Sequence, residues 1–166
     1  MKNGVRLVPL LVALACGDKV AGTGPTTSVT PTTTITFPGA TLSAEIAASA
    51  AARDQGLMGR ASLGANAGML FVYAADQSPQ LVGFWMKDTP IDLSIAFLDA
   101  SKKVINVDEM TKNTLNTHVV KCPNTPVADC HFRYAIEANA GWFTANGITA
   151  GTTASFSLPA GTVISP

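Results

Sequence analysis

Charged side chains are scarce in this 166-residue sequence. They make up 13% of it, and eleven Lys and Arg balance eleven Asp and Glu. A chain with no basic excess lacks the electrostatic footprint of nucleic-acid binding, so no nucleic-acid partner is expected. No basic amphipathic segment marks the domain for a membrane surface. No apolar run approaches the ~20 residues that cross a bilayer as a helix. There is no Gly-x-Ser-x-Gly elbow, no phosphate-binding Gly-rich loop and no His-Glu-x-x-His pair, which leaves serine hydrolase, nucleotide and zincin chemistry without their residues. Only two His and three Cys are present. What the chain has instead is Ala, Thr and Gly in abundance, a composition that favours short strands and turns over long charged helices.

The amino end carries an address. Lys2 and Arg6 precede the apolar run Leu7–Ala15, and small residues follow. That order makes residues 1–15 a secretory signal peptide. The run closes on "ALAC", which resembles a bacterial lipobox and makes Cys16 the expected lipidation site. Once the signal is removed, nine basic residues face eleven acidic ones. Residues 16–36 then form a Thr/Pro/Gly linker too poor in large apolar groups to fold. It would reach about 60 Å if extended. The picture is a domain tethered through a lipid anchor at the cell envelope, on its periplasmic or extracellular side.

Residues 37–166 read as one mainly β domain. "ATLSAEIA" alternates, with Leu42, Ala44 and Ile46 on one face. Ser49 is placed to cap a helix from Ala50 to about Met58. "GMLFVY" (68–73), "GFWMKD" (83–88), "LSIAFLD" (93–99), "KVINVDEM" (103–110), "RYAIEAN" (133–139) and "TTASFSL" (152–158) read as further strands. Asn139 is expected to cap a second helix over 140–146, with Gly147 as its left-handed stop. Strands outnumber helices and do not alternate with them, so the expectation is a single antiparallel β-sandwich or partly closed barrel with two short helices.

Five motifs come in sequence: "RDQGLMGR" (53–60), "GMLF" (68–71), "FWMKDTPIDLSIAFLDA" (84–100), "YAIEANAGW" (134–142) and "GI" (147–148). In this order and spacing the chain closely resembles domain-of-unknown-function family 192 over nearly all of residues 41–158. The resemblance implies a compact, mainly β, sandwich-like domain, often behind a signal sequence, and no established activity. The family usually has Asn where this chain has Asp88, which exchanges an amide for an acceptor-only carboxylate.

Several constellations bear on function. Cys122 and Cys130 bracket "PNTPVAD"; outside the cytoplasm thiols pair, and the expected disulfide would add about 2–3 kcal/mol. The rival is a two-His, two-Cys site from His118, Cys122, Cys130 and His131, whose spacing is not a usual zinc pattern. Met58, Met69 and Met86 are soft donors for Cu(I), but thioethers also fill cores, and no dense Met cluster is present. No metal or other cofactor is called for. Arg60, Trp85, Lys87, Asp88 and Asp92, with Arg53 nearby, form the candidate ligand-binding set: fork and ammonium donors beside an aromatic platform suit an anionic or sugar-like group. The competing account is an ion-pair clamp joining helix to sheet through Arg60 or Lys87 and Asp88 or Asp92. Glu137 with Asp92 is a carboxylate pair of the kind glycoside chemistry uses, without local support. Three function classes follow. The first is a binding or accessory module for a small or carbohydrate-like envelope ligand. The second is an enzyme built on Arg60, Lys87 and Asp88, and the third is an interaction domain without a pocket. The reading leans away from catalysis.

Overall fold

The computed structural model describes residues 30–166. Signal peptide, Cys16 and most of the expected linker therefore lie outside the described residues.

Alternation of side chains builds the sheet. β1 (Thr32–Phe37), β2 (Ala40–Ala47), β3 (Ala67–Gln77), β4 (Leu93–Leu98), β5 (Val104–Met110) and β6 (Phe132–Asn139) form one sheet in the order β1-β2-β3-β6-β4-β5. Leu42, Ala44 and Ile46 of β2 face one core with Leu70 and Val72 of β3. Met69 and Phe71, one residue out of phase, face the other. β4 is buried at all six positions, as its sequence, apolar except for Ser94, suits a strand covered on both sides. A segment containing α2 (Trp142–Ala145) brings Trp142, Phe143, Ile148, Ala154 and Phe156 onto the first face. The loop after α1 (Ala50–Gln55) and the segments around Phe84, Met86, Val120 and Cys130 cover the second.

Four expectations need correction. The sheet is mixed, because β2 and β3 pair in parallel while the other pairs are antiparallel. Residues 48–66, with α1 among them, are long enough to carry the chain back to the starting edge, which a parallel pair requires. The sheet is also open, with β1 and β5 as its edges, so it is not a barrel; among the described residues no second sheet lies across it to make a sandwich. The expected strands 83–88 and 152–158 contribute only isolated bridges: Phe84 with His118, Lys103 with Thr153 and Thr36 with Ser155; the first ends in a turn at Lys87 and Asp88. Finally, ordered structure begins before residue 37. Thr32–Phe37 is an edge strand whose threonines are β-branched and whose Ile35 and Phe37 are buried.

The helices follow their caps. The Ser49 hydroxyl accepts the Ala52 N–H at 3.2 Å, and α1 stops at Gln55 with Gly56 at φ 47°. α2 starts later than expected, after Gly141 at φ 75°, because the Asn139 amide instead donates to the Leu63 and Gly64 carbonyls. Gly147 follows it in the left-handed region, φ 68°. Among the described residues no helix is long and apolar enough to cross a membrane.

Candidate functional site

The second face of the sheet is not fully covered. A cavity of about 1070 Å³ opens between it, α1 and the 82–89 segment, at the upper end of the sizes typical of ligand pockets. Phe71 and Tyr73 of β3, Leu93 of β4 and Glu137 of β6 form its floor. Arg53, Leu57 and Met58 wall one side; Phe84, Trp85 and Met86 wall the other. The backbone of the 84–86 segment is held by Phe84 N–H to the His118 carbonyl (2.8 Å), the reverse bond from His118 (2.7 Å), and Met86 N–H to the Thr114 carbonyl (3.1 Å). Extended backbone turns Phe84 and Met86 inward and leaves Trp85 57% exposed at the rim. Phe84 meets Phe71 edge to face at 5.0 Å and Phe97 at 5.6 Å, so one wall is continuous with the aromatic core.

Glu137 is the unusual member. It sits on the central strand, in register with Met69 on one side and Ile95 on the other, and is 5% exposed. Its carboxyl is in no ion pair among the described residues. Burial alone raises its pKa to about 8, as expected when an acid loses hydration and gains no cation. Close strand packing fixes the position: a Cβ on Gly68 would collide with the Glu137 carbonyl and Leu42.

Arg53 does not neutralise it. Nη1 donates to the Ala48 and Val72 carbonyls at 2.7 and 3.1 Å, and Nη2 to those of Ser165 and Pro166 at 3.1 and 2.8 Å. The guanidinium also lies 4.8 Å from the Tyr73 ring centroid. It pins α1 to the sheet and the carboxy-terminal segment. Burial pushes the Tyr73 phenol to about 12, with Arg53 pulling the other way.

Of the sequence-derived set, Trp85 and the neighbouring Arg53 line this cavity, and Arg60, Lys87, Asp88 and Asp92 do not. Arg60 pairs with Glu45 of β2, a partner not anticipated. Lys87 and Asp88 are exposed. Asp88 has φ 52°, and its backbone carbonyl accepts the Gly59 N–H at 2.8 Å. Asn and Asp are the residues that tolerate this left-handed turn, which accounts for either at position 88. The Asp92 carboxylate accepts the Lys112 N–H at 2.8 Å and does not line the cavity with Glu137, so the suggested carboxylate pair is not assembled. Phe71, Tyr73 and the isolation of Glu137 were not anticipated. The available signal was a lone acid inside "AIEA" (135–138), a run otherwise apolar on both faces of its strand.

A second polar group lies near the disulfide. Cys122 and Cys130 are joined, so their thiols are not free for the four-ligand alternative. His118 instead bonds Asp108 at 3.0 Å, and Lys121 reaches the same carboxylate at 2.8 Å. Burial raises the Asp108 pKa, but these two bonds outweigh it and the net shift is downward. Met69 and Met86 are core residues, and Met58 lines the cavity.

The chain matches the family described as DUF192, uncharacterized ACR, over residues 33–156. It belongs to that family. The DUF192 domain thus begins within β1 and spans all six strands. No curated protein matches the chain. A solved structure from Sinorhizobium meliloti 1021, provisionally assigned as a transcription regulator, is similar with a TM-score of 0.64 at 21% identity, covering 76% of this chain and 92% of that one. A protein of unknown function from Novosphingobium aromaticivorans DSM 12444 is similar with a TM-score of 0.60 at 24% identity, covering 75% and 83%. At these identities the likeness is one of fold.

Proposed function

We propose that this DUF192 domain is a binding module held at the cell envelope and that its cavity takes a small ligand with an apolar body. The observation that carries this is the cavity itself: a large concavity with an aromatic and aliphatic wall and, on its floor, one buried acid that is in no ion pair among the described residues. A carbohydrate would ask for a dense ring of donors and acceptors. The walls formed by Leu57, Met58, Phe84 and Met86 supply none from their side chains, the Thr89 hydroxyl is turned to the Lys87 carbonyl, and Arg53, Gln55 and Gln77 donate to backbone carbonyls, which leaves Asp54, Tyr73, Trp85 and Glu137 as the remaining polar groups of the lining. The apolar small molecule is therefore favoured over the sugar. The envelope part of the proposal rests on the amino-terminal "ALAC" and on the Cys122–Cys130 bond, which suits an oxidising compartment.

The neutral dye N-phenyl-1-naphthylamine tests the cavity, since its fluorescence rises in apolar surroundings. Saturable one-to-one binding is expected. Ala75→Trp, which places a large ring on an exposed lining position, should abolish it while leaving the melting temperature unchanged. Absence of saturable binding, or binding indifferent to Ala75→Trp, overturns the reading.

A further inference from the structure

We propose that the ligand is an organic ammonium ion, a protonated amine on an apolar body, with its N–H donors seated on the Glu137 carboxylate and its body against the aromatic wall. This rests on the cavity being a ligand site and adds the charge and the donor chemistry of what fills it.

Three features converge. First, Glu137 is a buried acceptor at the floor of the cavity with no ion-pair partner among the described residues. An ionised carboxylate accepts hydrogen bonds and donates none, so a donor carried in by a ligand would satisfy it. Buried charges persist when paired, and a cation entering with the ligand would supply that pair. Second, Phe71, Tyr73, Phe84 and Trp85 line the same space. Their ring faces attract an ammonium more strongly once water is excluded, while also packing an apolar body. Third, no cation among the described residues pairs with the acid. Arg53 turns its donors to four backbone carbonyls, and Arg60, on the same side of the sheet, is held by Glu45 two strands away. A ligand bearing a carboxylate would meet a second acid on the floor and, among the described residues, no unengaged cation in the lining.

Proton linkage follows from the surroundings of Glu137. Around the cavity, α1 contributes Arg53 and exposed Asp54, and β3 contributes Tyr73; Leu93 of β4 and the lining residues of segment 82–89 do not titrate. Tyr73 loses its proton only near 12. The empty site holds a neutral Glu137 at pH below about 8, so an ammonium must displace that proton on entry. Its affinity should then rise about tenfold per pH unit up to about pH 7.5 and level off above pH 8.

Calorimetry with 2-phenylethylammonium, 2-phenylethanol and 3-phenylpropanoate tests this on the same protein that is titrated with the dye. The ammonium is expected to bind with that slope and to release close to one proton per site at pH 6. The alcohol should bind more weakly without a slope, and the carboxylate should not bind. Glu137→Gln should flatten the slope and erase the preference over the alcohol while still taking up the dye; Asp54→Asn should keep both. Equal binding of ammonium and alcohol, no binding of the ammonium by a protein that binds the dye, or a slope that survives Glu137→Gln overturns the ammonium inference and leaves the cavity reading standing. Loss of dye binding in the wild type removes both.

Discussion

A carboxyl group set between Met69 and Ile95 gives up its hydration, and holding its proton is the cheaper response. This has a consequence for stability. The unfolded chain ionises Glu137 near 4.5, whereas the folded chain does so near 8. Between these values the folded state binds more protons than the unfolded one, so stability is greatest on the acid side and falls as pH rises, at up to about 1.4 kcal/mol per pH unit for this group. Above pH 8 the loss is complete and the contribution is flat. Glu137→Gln removes the titration, and at pH 7 it should stabilise the protein by on the order of 3 kcal/mol, with a gap that closes towards pH 4.5. Urea denaturation of both proteins at pH 5, 6 and 7.5 measures it. Parallel stabilities across that range would mean that Glu137 is ionised and paired in the folded state. Asp108 works in the opposite direction: its bonds to Lys121 and His118 favour its charged form, so its share of stability is lost as pH falls.

At the scale of elements, the 84–89 segment separates packing from exposure. Phe84 lies among Phe71, Phe97 and Phe132, so Phe84→Ala should cost about 3–5 kcal/mol. Arg60→Ala removes one half-exposed ion pair and should cost under about 1 kcal/mol; Lys87→Ala removes an exposed side chain and should cost less. Thermal melts of the three variants rank them, and an Arg60→Ala loss as large as that of Phe84→Ala would show that Glu45–Arg60 clamps the fold. The alternation of buried and exposed residues along 84–87 was legible in the sequence because any extended chain alternates. Whether that chain joins the sheet was not, because hydrogen-bond partners such as His118 and Thr114 are remote in sequence. β2–β6 were legible from alternation or unbroken apolar runs. β1 was hidden by its Thr-rich composition, which suits an edge strand and a linker equally well. For the site, Trp85 could be placed from its local context. The isolation of Glu137 could not, since it depends on what α1 and the 82–89 segment bring near it.

For the molecule as a whole, finding β1 at Thr32 shortens the tether proposed for the domain. If Cys16 carries lipid, only residues 17–31 separate the anchor from the sheet, and a Pro/Gly/Thr segment of that length reaches about 45 Å when extended. The cavity would then work within a few nanometres of a membrane, where amphiphilic amines partition. Among the described residues no helix is long and apolar enough to cross a membrane, and the proposal places membrane attachment in the amino end. The expected outcome is that wild-type protein fractionates with membranes and incorporates labelled palmitate, whereas Cys16→Ser does neither and appears in the soluble envelope fraction. The domain should be unaffected, because Cys16 is not a partner in the Cys122–Cys130 bond; equal melting temperatures for the two proteins would confirm that only attachment has changed. Equal labelling of wild type and Cys16→Ser would show that the apolar run ends in an ordinary signal cleavage, and would release the binding module from the membrane.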